Sequence, residues 1–225
     1  KVSEMVKRYF KFEDGKKTLA HAALLSNPKK ERVFLQLKKT EQAHVVVGFP
    51  AKPEEHKDHY IEKVLAVILG GGMSSRMFLG VREAKGLSYY INTSTDDYTD
   101  SGIISTRAGV DVKRAPLAVS AICDEYKKIR GEKVAAKELR KAKEYLKGKL
   151  VLRLEDSEEY AHLIGKNELL YRKIRSPEEI TASIDKVTAE DVARVSEELF
   201  TDENLRLAAI GPYQDKGEFE KVLKI

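Results

Sequence analysis

The sequence predicts an α+β domain in which one mostly antiparallel sheet is packed on one face by several helices. Three observations carry this. Strand-like runs come in sequence-adjacent pairs, so hairpins dominate and the βαβ alternation of a parallel sheet is missing. From Lys113 onward the pattern is almost wholly helical until one last short strand. At 225 residues, with 42% hydrophobic side chains, the chain is long enough to bury a sizeable core, and no repeat, low-complexity tract or rich linker divides it.

Taken in order, Val2, Met5, Val6 and Tyr9 or Phe10 recur at helical spacing, so a short helix opens the segment before an Asp14-Gly15 turn. Val33, Leu35 and Leu37 alternate as a half-buried strand does, and Gln42 to Phe49 is a β-branched run closed by Gly48 and Pro50. Tyr60, Ile61, Val64, Leu65 and Ile68 share one helical face, and that helix stops at Gly70 to Gly72. Met77, Phe78 and Val81 predict a second short helix, ended by Gly86. Leu87, Tyr89, Ile91 and Thr93 then alternate with Ser88, Tyr90, Asn92 and Ser94, turn through DDYTDSG and return as GIISTRAGV, a strong hairpin signal. Helices follow over Leu117 to Ile129, Ala136 to Leu154, Glu158 to Tyr171, Pro177 to Ile184 and Ala189 to Leu199. Ser176 with Glu179, and Thr188 with Asp191, have the spacing of capping boxes. A strand over Leu205 to Ile210 ends at Gly211-Pro212, before a terminal helix that includes Phe219 and Leu223.

The net charge of +5, from 41 basic and 36 acidic residues, is spread along the chain and forms no basic tail, which argues against nucleic-acid binding. No apolar run approaches the roughly 20 residues that span a membrane, so no membrane role is expected. The single cysteine, Cys123, excludes a disulfide framework and suits a reducing, cytoplasmic compartment. The start at Lys1, directly in an amphipathic stretch, reads as a piece of a longer polypeptide.

Few residues announce chemistry. Gly70, Gly71 and Gly72 fit neither phosphate-loop pattern and follow a helix where those loops follow a strand, so they are expected to supply left-handed backbone as a helix stop and to let Ser74 or Ser75 cap the next helix. His56 and His59 stand beside Glu54, Glu55 and Asp58, but H-x-x-H lacks the carboxylate of a zinc helix, and a solvated helix start is expected. His21, His44 and His162 are isolated, Cys123 has no activating neighbour, and Asp96-Asp97 belong to the hairpin turn. Arg82 and Tyr89 remain, seven residues apart around Gly86, which permits a tight reversal between them. Strict strand alternation places Tyr89 and Tyr90 on opposite faces, so one tyrosine can share a side with Arg82. A guanidinium and a phenol held together suit a peptide carbonyl or the oxyanion it becomes. From spacing alone, a surface arginine and a half-buried strand tyrosine are the better reading of the pair.

The runs TEQAHVVVGFP, VLAVILGGGMSSRMFLGVREAKGLSYYINTSTDDYTDSGIISTRAGV, ELRKAKEYLKGKLVLRLEDS and LAAIGP resemble the second half of pitrilysin-like, inverted-motif zinc peptidases, nearest the mitochondrial processing peptidase type. The resemblance runs from about Tyr9 to about Pro212. It implies two homologous α/β halves around a chamber, with H-x-x-E-H and zinc in the first half and an arginine–tyrosine pair in the second, here Arg82 and Tyr89. This chain contains no H-x-x-E-H. The resemblance therefore implies that zinc is bound by the other half or a partner subunit, and that this segment alone is inactive on peptides. It divides the chain into residues 1–17, the end of an upstream domain or linker helix, and residues 18–225, the C-terminal peptidase-like domain. The implied partners are a peptide substrate and a zinc-bearing homologous half, with homo- and heterodimeric assembly both left open. The alternative is a catalytically inactive structural or partner subunit, as among respiratory-complex core proteins.

Overall fold

The structure, a computed structural model, describes residues 1–11 and 31–225. The Asp14-Gly15 turn, His21 and the boundary between residues 17 and 18 lie outside the described residues. Helix α1 (Val2–Tyr9) forms where the apolar spacing predicts it and carries no buried residue.

Strands β1 (Val33–Leu37), β2 (Gln42–Ala51), β3 (Ser88–Asp97), β4 (Gly102–Asp111) and β5 (Arg206–Gly211) make one sheet in the order β1-β5-β2-β4-β3. Every pairing is antiparallel except β1 with β5. Period-two alternation sorts the side chains. Val45, Val47 and Phe49 of β2 are buried, while His44, Val46 and Pro50 face the other way. Helices cover the buried face: α2 (His59–Gly70), α3 (Ala115–Gly131) and α7 (Ala189–Leu199) touch the strands directly, with α4 (Ala136–Leu154) and α6 (Pro177–Asp185) packed outside α2. Helix α5 (Ser157–Tyr171) pairs with α4, and α8 (Gly217–Val222) closes on α3.

At the centre of the core, Phe49 from β2, Tyr126 from α3 and Phe200 beyond α7 form a ring triad with centroids 4.8, 4.8 and 4.7 Å apart. Tyr126 packs edge-on against both phenylalanine rings, a favoured aromatic geometry, and the two phenylalanines are tilted to each other. A fully buried phenol needs a partner, and Tyr126 Oη has Thr106 Oγ1 at 2.7 Å, itself 2.7 Å from Thr93 Oγ1. Both expected capping boxes are present, at Ser176/Glu179 and Thr188/Asp191, so α6 and α7 begin where the sequence marks them.

Two local expectations give way. The short helix after the glycine triplet is a π-helical turn, Phe78–Glu83, whose wider winding lets the Ala84 amide bond the Leu79 carbonyl at 2.9 Å. None of Gly70, Gly71 and Gly72 is left-handed; among the described glycines only Gly86 has positive φ. What the triplet supplies is room. A Cβ on Gly70 would lie 2.3 Å from the backbone nitrogen of Thr93, and one on Gly71 would lie 2.8 Å from Cα of Val67. Neither serine caps the following turn with its side chain, because Ser75 Oγ points back and donates to the Gly72 carbonyl at 2.6 Å.

Candidate functional site

The close approach at Gly70 seats the end of α2 directly on β3, where Asn92 Nδ2 donates to the Gly70 carbonyl at 3.0 Å. From this anchored point the chain turns outward. Arg76 holds Glu138 of α4 through a two-pronged ion pair, both contacts 2.9 Å, and buried Met77 fixes the start of the π-helical turn. Val81 packs inward, and Gly80 leaves space for the buried Glu125 carboxylate, which a Cβ would approach to 2.6 Å. Arg82 then projects to the partly exposed side. Its guanidinium carbon lies 4.8 Å from the centroid of the Phe78 ring, a cation–π seat that limits where the donors point.

The reversal follows at once. The Gly86 amide bonds the Arg82 carbonyl and the Leu87 amide the Val81 carbonyl, both at 3.0 Å, while Gly86 adopts φ +57°. No atom lies within 4 Å of a Cβ placed on Gly86, so the backbone angle and not crowding selects glycine. Leu87 is buried, and β3 begins.

Here the strand departs from strict alternation. Ser88 pairs with Val110 and Tyr90 with Gly109, so a β-bulge inserts Tyr89 between them. The strict alternation expected across the two tyrosines is interrupted by this bulge, and both side chains are open to solvent, Tyr89 62% exposed and Tyr90 44% exposed. Tyr90 lies against Gly109, where a Cβ would meet its ring at 2.4 Å, and its hydroxyl is 3.0 Å from His44 Nδ1. The bulge is thus pinned on the Tyr90 side and leaves Tyr89 free to solvent. Arg82 and Tyr89 flank one reversal, both reachable from outside, and no hydrogen bond joins them to each other among the described residues.

The other candidates sort differently. His59 is not solvated but buried at the first turn of α2, with its Nδ1 3.7 Å from Asp97 Oδ1 and an ion pair between Lys63 and Asp97 beside it; burial lowers its pKa. His56 Nδ1 accepts from the Asp58 amide at 3.2 Å, and His56 joins no metal-binding group with His59 among the described residues. Glu62, on the same helix, is a buried carboxylic acid that sequence periodicity does not single out. Its Oε1 accepts from the Lys52 amide at 3.2 Å, its Oε2 has no partner, and burial pushes its pKa up to about 7. Cys123 is buried and its thiol is raised to about 12, which makes it an inert small hydrophobe. His162 is exposed on α5, and Asp96 pairs with Arg107 at 2.5 Å.

Among the described residues no group of three or more His, Cys, Asp or Glu is placed to hold a metal ion. Two depressions lie away from Arg82 and Tyr89. One, about 580 Å³, is lined by mixed charges that include Asp58, Arg175, Lys186 and Arg194, and the other, about 440 Å³, lies on the open sheet face around Phe34, Val46 and Ile103.

The family described as peptidase M16 inactive domain matches residues 1–146. A protein named uncharacterized zinc protease YmxG, from Bacillus subtilis, is 37% identical over 175 residues, covering 78% of this chain and 42% of that protein. The chain spans about two fifths of the length of the curated relatives it matches. Its fold is shared with a protease from Helicobacter pylori, at TM-score 0.82 and 21% identity over 94% of this chain and 52% of the other. It is shared also with a chain of Complex III2 from Candida albicans, at TM-score 0.75 and 16% identity over 86% and 49%.

Proposed function

The chain belongs to the peptidase M16 family, as its inactive domain, and from that premise we propose that it is the metal-free half of a two-half zinc endopeptidase, in which Arg82 and Tyr89 bind and polarise the carbonyl of a peptide held against the zinc-bearing half. The observation that carries this reading is the reversal itself. One left-handed glycine, and one bulge where the β3–β4 ladder begins, leave a guanidinium and a phenol accessible on either side of Gly86.

The chemistry follows from the donors. A guanidinium stays charged at any working pH and offers several N–H groups in a fixed plane, while a phenol offers one O–H that rotates to its acceptor. As a peptide carbonyl carbon becomes tetrahedral, its oxygen gains negative charge, and both bonds strengthen more than they do in the bound substrate. The Phe78 ring orients Arg82 before substrate arrives, which lowers the cost of ordering it. The donor set of the described residues does not fit zinc, since their histidines do not converge with one another or with a set of carboxylates. In this reading the metal named in the relatives belongs to the homologous half, which supplies the Lewis acid and the activated water.

The test is kinetic. With the zinc-bearing half present, an unfolded peptide is cut in a chelator-sensitive way, and Arg82→Ala or Tyr89→Phe lowers kcat by roughly 10²-fold, the effect of losing one oxyanion donor. Unchanged kcat in both variants would overturn the assignment. The shared fold with a Complex III2 chain favours one second reading, an inactive structural or partner subunit. That reading predicts no chelator-sensitive cleavage by the assembled protein and stable association with its partner regardless of residues 82 and 89.

A further inference from the structure

Arg114 ends the short 3-10 turn Val112–Arg114 that carries the chain from β4 into α3, far in sequence from the glycine reversal. In space it lies on that reversal. Its Nη1 donates to the Gly86 carbonyl at 3.1 Å and its Nη2 to the Lys85 carbonyl at 3.3 Å. These two oxygens end a helical turn, where carbonyls lack an amide further along to bond them and carry the negative end of the turn's dipole. A planar fork with two parallel N–H groups matches a pair of adjacent carbonyls as a single ammonium does not. The acceptors also sit in a decisive place, because Lys85 and Gly86 lie between Arg82 and Tyr89. The bonds from Gly86 to Arg82 and from Leu87 to Val81 close the turn on itself, whereas Arg114 ties it to the β4–α3 junction, and the neighbouring β4 also sets the bulge at Tyr89.

We propose that Arg114 is a positioning residue: by clamping the Lys85 and Gly86 carbonyls it fixes the separation and direction of Arg82 and Tyr89, so that both donors meet one substrate oxygen. This rests on the reading of that pair given above. A residue that served stability alone would change folding without changing the chemistry of the pair, and the two roles separate by measurement. In the enzyme assembled with its zinc-bearing half, Arg114→Ala is expected to lower kcat roughly tenfold with KM within about twofold, since small misplacement of a reacting group costs rate before affinity. Amide hydrogen exchange is expected to quicken at residues 86–90 and to stay unchanged in β2 and α3. In a Tyr89→Phe background the same substitution is expected to cost about threefold or less, because one of the two donors whose relative placement it fixes is gone. Arg114→Lys restores part of the rate. Full additivity with Tyr89→Phe, or unchanged exchange at residues 86–90, overturns the proposal. If Tyr89→Phe alone leaves kcat untouched, the reading of the pair fails, and the exchange rates then decide by themselves whether Arg114 holds the reversal.

Discussion

Single side chains in this fold act through what surrounds them. Glu62 is the clearest case outside the candidate site. It is 1% exposed, one oxygen has no partner, and the charges facing it are Asp97 and Asp58, which oppose its ionisation, and Lys52, which favours it. Its folded pKa of about 7 lies above the ordinary carboxyl value of 4.5, so the folded state binds more protons than the unfolded chain between these limits. Stability from this group is therefore full below the ordinary value, declines as pH rises through the window, and stays low above it. Buried His59, with its lowered pKa, acts oppositely as pH falls, so a difference measurement isolates Glu62. Glu62→Gln keeps an acceptor for the Lys52 amide and cannot ionise. Relative to wild type it is expected to gain up to ~3 kcal/mol between about pH 5 and about pH 8, read from denaturant midpoints. A difference that stays constant over that range would contradict this account.

At the scale of elements, the glycine triplet and the strand beside it show how packing outruns local pattern. Gly70→Ala drives a Cβ into the backbone of Thr93, while at Gly72 the nearest atom, Tyr145 Cε2, stands at an ordinary 3.8 Å. Gly70→Ala is expected to cost ~1–3 kcal/mol, as overpacking does, and Gly72→Ala less than ~0.5 kcal/mol. Equal losses in chemical denaturation would show that the two glycines serve a common backbone need and not one close approach. Sequence periodicity captures the strands, α2, the hairpin and the two capping boxes because each is written in neighbouring residues. It places the short helix over Met77 to Val81 but not its type, since six residues of π winding and six of α winding present nearly the same apolar positions. It also misses the bulge, because one inserted residue leaves the letters unchanged and alters only which residues face each other across the strands. Tyr89, the residue at that shift, is exposed.

For the molecule as a whole, the α+β class and the helix-backed sheet are legible in the order of elements, whereas the sheet's order is not. The parallel pairing of β1 with β5 joins Val33 to Leu207 across almost the full chain, and no local signal encodes it. The same limit applies to the site. Spacing around Gly86 alone favours a plain surface arginine and strand tyrosine, and the family resemblance is what singles out Arg82 and Tyr89, whereas Arg114 reaches the carbonyls between them only through the fold. On the proposed function, this half of the assembled enzyme would contribute donors that grip the reacting oxygen more strongly as it becomes an oxyanion. The most direct measurement is the affinity of a peptide phosphinate, a tetrahedral anion that imitates the transition state, set beside the KM of the matching peptide. Tyr89→Phe is expected to weaken phosphinate binding at least about tenfold while KM stays within about twofold. Equal weakening of both, or of neither, would contradict the claim.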